Sequence, residues 1–381
     1  MTGNELVTGK SDLPHGHLPP WQGNRGLHRN PDTERAGGAH GPAASCEMLT
    51  CVTPDGWARW SVVLVLAISA CSTERPVPRE PGDRPTAARQ IPVHARGDLR
   101  EGSAAVMSQQ QPGIVFTIND SGHEPQVFAL DSTGADRGVW RVTNATNVDW
   151  EAASIGPCAR VDVALALPAG CLYVADVGDN DELRPYTTIY RIPEPRAEAA
   201  GFVGSTTAER LSLRYSDGPH DVEAIYVDRS GDVMLITKRR RTSVTGDLRR
   251  SLVFAVAASA WGRDTAAVAA LVDSLPIVPG SVSGRTVTDA ALSPDGRYLA
   301  VRTYVDVYVF ATDTTDGRVD ARVAPTRCDI QDLERGYGEG VTWFGTSGEL
   351  LLTQEGHDAP WWVISCPLPN RPTGSREPAM H

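Results

Sequence analysis

Five acidic residues in this chain each stand at the head of a short apolar stretch. They are Glu101 in Glu-Gly-Ser-Ala-Ala-Val, Glu151 in Trp-Glu-Ala-Ala-Ser-Ile, Glu223 in Val-Glu-Ala-Ile-Tyr-Val, Asp289 in Thr-Asp-Ala-Ala-Leu-Ser and Glu339 in Gly-Glu-Gly-Val-Thr-Trp. If the fold gathers them, their charges repel and raise one another's pKa unless a cation sits among them. Calcium suits such a set, because it is hard, takes six to eight oxygens and tolerates irregular geometry. The five acids are therefore the candidate metal ligands and calcium the candidate cofactor. The plainer reading is a water-filled polar funnel, each carboxylate bonded to backbone N–H groups of the next repeat.

A second set falls at the ends of the strands that follow. Asp120 and His123 belong to the first repeat, Asp176, Asp179 and Asn180 to the second, and Lys238 with Arg239–Arg241 to the third. Arg302 and Tyr304 belong to the fourth, and Gln354, Glu355 and His357 to the fifth. They should share one face, a candidate ligand face, with the connecting loops. Asp-Val-Gly-Asp-Asn-Asp (176–181) has the oxygen density of a calcium loop but not the twelve-residue EF-hand frame, and reads as an Asp/Gly turn. A nucleophile with a matching frame is missing: there is no Gly-x-Ser-x-Gly, His-Glu-x-x-His or Cys-x-x-Cys. No catalytic residue is assigned. Hydrolysis, if it occurs, would use a metal-activated water with Glu151, Glu223 and Glu339 on the metal side.

The elements that must position these residues are strands. Runs rich in Val, Ile, Tyr and Phe alternate with Gly, Asp and Pro turns from about residue 91 onward. The predicted strands are 104–108, 114–118, 126–130 and 138–142; 151–155, 171–175, 187–192 and 210–215; 222–227, 232–237, 251–255 and 266–272; 289–292, 298–303 and 305–310; and 340–344, 349–353 and 361–365. The leading acids are 50, 72, 66 and 50 residues apart. Four strands per repeat at such a period is a propeller blade. The expected fold is all-β, a β-propeller of five blades of four antiparallel strands, with six blades as the alternative. Residues 89–95 would supply the outer strand that the last repeat lacks, closing the ring and removing open sheet edges.

Some segments also carry a resemblance. Leu292-Ser-Pro-Asp-Gly-Arg-Tyr-Leu-Ala-Val301 resembles the turn between inner strands of WD40-like bacterial propellers. Phe116–Gly122, Asp149–Ala152, Leu172–Asn180 with Ile189–Pro195, and Asp221–Ile225 resemble a group of exported actinobacterial propeller proteins of undefined role, and loosely phytase-like propellers. The resemblance spans roughly residues 95–366 and implies the fold, not an activity. The dense basic and acidic phosphate site of a phytase is not evident, Lys238 being the one lysine of that span.

The N-terminal part carries an address. Trp60–Ala70 is an apolar run of eleven residues behind Arg59, short for a membrane span but right for a signal-peptide core. It ends in Ile-Ser-Ala-Cys71, which resembles the bacterial lipobox and would make Cys71 the lipidated residue. The expected organisation is a disordered or misassigned extension at 1–47, a lipoprotein signal peptide at 48–70, a Pro/Arg-rich tether at 71–90, the propeller at 91–370 and a disordered tail at 371–381. The protein would be exported, anchored by lipid to the outer face of the cell membrane, and monomeric. Four cysteines remain for the domain, allowing three pairings. The pairs Cys158–Cys171 and Cys328–Cys366 are favoured, and bridges are permitted outside the cytoplasm. A formal charge of -11 argues against nucleic acid as a partner. What remains is a binding or scaffolding module for an unknown protein or small molecule, or a calcium-dependent hydrolase of esters or phosphoesters.

Overall fold

The computed structural model describes residues 84–95, 97–158, 170–238, 250–277, 286–333, 338–345 and 348–370. The chain divides into two units, Met1–Cys71 and Ser72–His381, and every described residue belongs to the second. The signal peptide, Cys71, Arg239–Arg241 and the tail at 371–381 lie outside the described residues. Among the described residues no helix is long and apolar enough to cross a membrane.

The chain enters through β1 (Ala87–Ile91) and then folds as successive antiparallel meanders. The first comprises β2 (Val106–Met107), β3 (Ile114–Ile118), β4 (Gln126–Asp131) and β5 (Asp136–Thr143). The second comprises β6 (Trp150–Gly156), β7 (Cys171–Asp176), β8 (Thr187–Pro193) and, after the detour β9 (Val203–Thr207), β10 (Glu209–Tyr215). The third comprises β11 (Val222–Val227), β12 (Val233–Thr237), β13 (Leu252–Val256) and β14 (Ala267–Ser274). The fourth comprises β15 (Val287–Leu292), β16 (Tyr298–Thr303), β17 (Asp306–Ala311) and β18 (Thr326–Asp329). The last comprises β19 (Gly338–Phe344), β20 (Glu349–Gln354) and β21 (Trp361–Ser365), with β1 antiparallel on its outer edge.

This is a β-propeller, and its burial explains the sequence pattern. Each sheet is covered on both faces by its neighbours, so inner strands need apolar side chains on both sides. All six residues of β11 and all six of β7 are buried. The outer strand β10 alternates instead, because one of its faces meets water. The core is correspondingly split into layers between consecutive meanders. Tyr173, Ile189, Leu235 and Phe254 pack in one layer, Phe116, Trp150, Leu172 and Tyr190 in the one before it, and Tyr226, Ile236, Val301 and Phe310 in the one after. Side chains of this size contribute roughly 1.5–3 kcal/mol each on burial.

Closure differs in detail from the expectation. Residues 87–91 pair with β21, from Ala87 opposite Ser365 to Ile91 opposite Trp361, rather than 89–95. Pro92 cannot donate to a ladder, and the chain crosses there to the first meander, where the His94 N–H donates to the Gly134 carbonyl at 2.8 Å. Gly134 has φ +78°, and a Cβ on it would overlap the Pro92 carbonyl oxygen. The N-terminal segment therefore ties the last meander to the first.

Two strands were not foreseen. β9 (Val-Gly-Ser-Thr-Thr) lies parallel to β5, and β18 (Thr-Arg-Cys-Asp) completes the fourth meander. β14 pairs parallel with β10, which joins the second and third meanders into one eight-stranded sheet. The sheets are thus mixed in places rather than purely antiparallel. Both favoured disulfides are present: Cys158–Cys171, with Cα atoms 5.1 Å apart, and Cys328–Cys366, at 5.9 Å. The second joins the fourth and last meanders.

Candidate functional site

The same irregularity opens every inner strand. Trp150 pairs with Asp176 and Ala152 with Ala175, which leaves Glu151 as an extra residue. Val222 pairs with Thr237 and Ala224 with Ile236, leaving Glu223. Between Gly338 and Val341 the extra residue falls in Glu339–Gly340, and between Val287 and Asp289 it is Thr288. In the first meander the five residues from Gly102 to Val106 face the four from Asn119 to Phe116, and Ser103 falls at the same place. A bulge lets successive side chains leave the normal alternation and re-aims one of them. Here Trp150 and Val222 stay in the packing between sheets while Glu151 and Glu223 are free to point elsewhere.

Register therefore sorts the five leading acids. Glu151, Glu223 and Glu339 occupy equivalent positions, and all three are buried. The other two equivalent positions hold hydroxyls. Ser103 Oγ donates to the Glu151 carbonyl at 3.2 Å, and Thr288 Oγ1 to the Glu339 carbonyl at 3.0 Å. Asp289 comes one residue too late. Its carboxylate accepts the N–H groups of Ala290 (2.8 Å), Val341 (2.8 Å) and Ala105 (3.4 Å), so it staples three inner strands together. Glu101 comes two residues too early. It is half-exposed on the approach to the first meander, with His123 Nδ1 3.5 Å from its Oε2. The funnel of five equivalent carboxylates is thus three carboxylates and two hydroxyls, with Asp289 inside the wall and Glu101 at the rim.

Glu151 has two acidic companions. One oxygen each of Asp120, Asp149 and Glu151 lie within 4.8 Å of one another. Two oxygens on opposite sides of a calcium ion stand about 5 Å apart, given bonds of roughly 2.3–2.6 Å. The three carboxylates therefore have the spacing of groups that share one hard cation. Asp120 arrives from the loop after β3, held by the Asn147 amide, whose Nδ2 donates to the Asp120 carbonyl at 2.7 Å. Asp149 and Glu151 flank the buried Trp150, whose Nε1 donates to the Thr146 carbonyl at 2.9 Å. Asp149 was not foreseen as a site residue, although the Asp-Trp-Glu motif displayed it.

The electrostatics are those of a site short of positive charge. Burial raises Asp149 to about 6, and Asp120 adds to the rise. Burial, then Glu223, Asp120 and Asp149, lifts Glu151 well above the usual carboxylate range. Glu339 is raised to about 8 by burial and by the Glu223 charge, with Arg302 opposing. Burial raises Glu223 to about 7 although Lys238 Nζ stands 2.6 Å from its Oε1. Burial also opposes the charge on Lys238, and the Glu223 carboxylate outweighs it, so this ammonium stays protonated. Lys238 thus neutralises one acid of the mouth.

The other predicted face residues are placed as follows. Asp176 accepts Arg184 Nη2 at 2.7 Å and the Val148 and Asp149 N–H groups, so it positions the loop that carries Asp149. Asp179 accepts the Leu183 and Arg184 N–H groups at 2.9 and 2.7 Å and caps its own turn. Both are buried, in keeping with the Asp/Gly turn. Arg302 is fully buried, with Nη1 donating to the Gly340 and Thr353 carbonyls at 2.6 Å each, so it braces the last meander rather than facing a ligand. His357 is exposed, with Nδ1 2.8 Å from the Asp358 carboxylate, and is not one of the three grouped acids.

No protein-family model matches the chain, and no curated protein matches it. Several solved structures are similar. Glutaminyl cyclase of Myxococcus xanthus shares 12% identity over 73% of this chain and 97% of its own, with a TM-score of 0.40. The major allergen Mala s 1 of Malassezia sympodialis shares 10% over 72% and 96%, with a TM-score of 0.46. The PQQ-bound aldose sugar dehydrogenase of Streptomyces coelicolor shares 11% over 73% and 97%, with a TM-score of 0.39. At such values nothing about ligand or reaction transfers to this chain.

Proposed function

We propose that this chain is a binding protein of the cell envelope: a five-bladed propeller, anchored through a lipid on Cys71, whose acidic mouth takes a hard cation. Calcium is the ion the chemistry favours. The observation that carries this reading is the trio Asp120, Asp149 and Glu151, three oxygens within 4.8 Å in a setting that raises the pKa of Asp149 and of Glu151. A cation among them would relieve repulsion that the fold otherwise bears. The count of five blades rests on five inner strands among the described residues, each opening with the same bulge. The test is thermal melting with calcium against melting with chelator, for the wild type and Asp149→Asn. Calcium should raise the melting temperature of the wild type alone. An unchanged wild-type melting temperature would remove the cation from the account.

A second reading, a calcium-dependent hydrolase of esters or phosphoesters, draws on Glu339. A carboxyl raised to about 8 keeps its proton at neutral pH and can act as a general acid. Hydrolysis of an ester and phosphoester panel that needs calcium and is abolished by Glu223→Gln would favour this reading. Silence across the panel leaves the binding protein.

A further inference from the structure

The acidic residues occupy one end of the inner strands; the other end holds a cavity. It measures about 530 Å³ and lies among the far ends of β2, β6, β11, β15 and β19 and the turns that follow them. Ligand cavities span roughly 300–1,000 Å³. The space exists because the inner strands carry small residues where they line it, including Ala105, Ala153, Ser154 and Ala290. Larger apolar groups, Met107, Ile155, Leu292 and Trp343, complete the wall. The Trp343 indole N–H is already spent on the Ala291 carbonyl at 2.9 Å, so its ring serves as apolar surface.

Two charged residues line this cavity, and they differ in state. Asp228 is buried and its Oδ1 accepts the Ser230 N–H (2.8 Å), the Ser230 hydroxyl (2.7 Å) and the Asp232 N–H (2.9 Å), so it is committed to its own turn. Arg229 is exposed and donates to the main-chain carbonyl of Asp295, not to a carboxylate. The Asp295 carboxylate is itself turned to the Ser293 hydroxyl (2.5 Å) and the Arg297 N–H (3.1 Å). A guanidinium has five N–H donors in a fork that matches a carboxylate. Arg229 therefore retains most of its donors at the lip of a space whose acid, Asp228, is committed to its own turn, with no ion-pair partner among the described residues.

We infer that this second mouth binds a small amphipathic carboxylate, its aliphatic or aryl body among Met107, Ile155, Leu292 and Trp343 and its carboxylate on Arg229. The site is independent of the acidic mouth. Asp289 separates the two, its carboxylate bonded to the backbone of Ala105, a lining residue, and of Val341 in the neighbouring strand.

Isothermal titration of the folded protein with octanoate, octan-1-ol and octylammonium, each below its aggregation concentration, tests the inference. Octanoate should bind, more tightly than octan-1-ol, and octylammonium should bind weakest. Arg229→Gln should weaken octanoate about tenfold or more, as loss of a charge-assisted hydrogen bond does, and leave octan-1-ol unchanged. Ser154→Phe, which fills the cavity, should abolish binding of both while the melting curve shows a folded protein; should that variant fail to fold, the Arg229→Gln comparison decides alone. Asp149→Asn should leave octanoate binding as it is. Octanoate that does not bind, that binds no better than octylammonium, or that is indifferent to Arg229→Gln overturns the inference.

Discussion

Glu339→Gln offers the sharpest test of how the mouth is charged. Glu339 is 7% exposed and its pKa rises from an ordinary 4.5 to about 8, by burial and then by the Glu223 charge. The sign follows from linkage. Between those two values the folded protein holds a proton that the unfolded chain has released, so stability falls as pH rises through that window. Each pKa unit is worth about 1.4 kcal/mol. The full window would correspond to about 5 kcal/mol, an upper figure because the effective dielectric around a buried charge in a protein is well above that of a dry interior. A fall of about 2–4 kcal/mol between pH 4.5 and pH 8 is the working magnitude. Glutamine has the same shape and no charge, so the variant should lose this part of the slope and be more stable than the wild type at pH 8. The assay is urea unfolding of both proteins at half-unit steps of pH, in chelator. Parallel pH profiles for the two proteins, or a variant less stable at pH 8, would mean that Glu339 does not hold its proton in the folded state.

Other outcomes follow from single contacts. Gly134→Ala should loosen the N-terminal closure, because a side chain there overlaps the Pro92 carbonyl, and hydrogen exchange should quicken in residues 87–95 before the rest of the domain. Cys158→Ser with Cys171→Ser removes a crosslink spanning 13 residues and should cost about 3 kcal/mol in urea unfolding. Phe254→Ala, in the layer between the second and third meanders, should cost about 3–5 kcal/mol by the same measurement.

What the sequence displayed and what it hid divide along physical lines. β7 and β11 were legible because both faces are buried, which demands continuous apolar runs such as Leu-Tyr-Val-Ala and Ala-Ile-Tyr-Val. β9 and β18 were not, since a strand at the outer edge needs little apolar surface and Gly-Ser-Thr-Thr reads as loop. Glu151, Glu223 and Glu339 were found by spacing. Glu101 and Asp289 were grouped with them because a bulge has no sequence signature, and a shift of one residue sends a side chain to another face. Thus Thr288, not Asp289, is the true counterpart of Glu223. Asp149 was visible two residues before Glu151, but its role depends on Asp120 arriving from another repeat. The cavity at the far mouth was beyond reach, because small residues on separated strands make it jointly and none stands out alone.

The cation proposed for the acidic mouth would be shared by Asp120, Asp149 and Glu151. A crystal structure determined with calcium in the medium tests it most directly. One ion bonded to an oxygen of each of the three, at roughly 2.3–2.6 Å, is expected in the wild type, and none in the same position for Asp149→Asn. A wild-type structure in which water alone lies between the three carboxylates at millimolar calcium would contradict it.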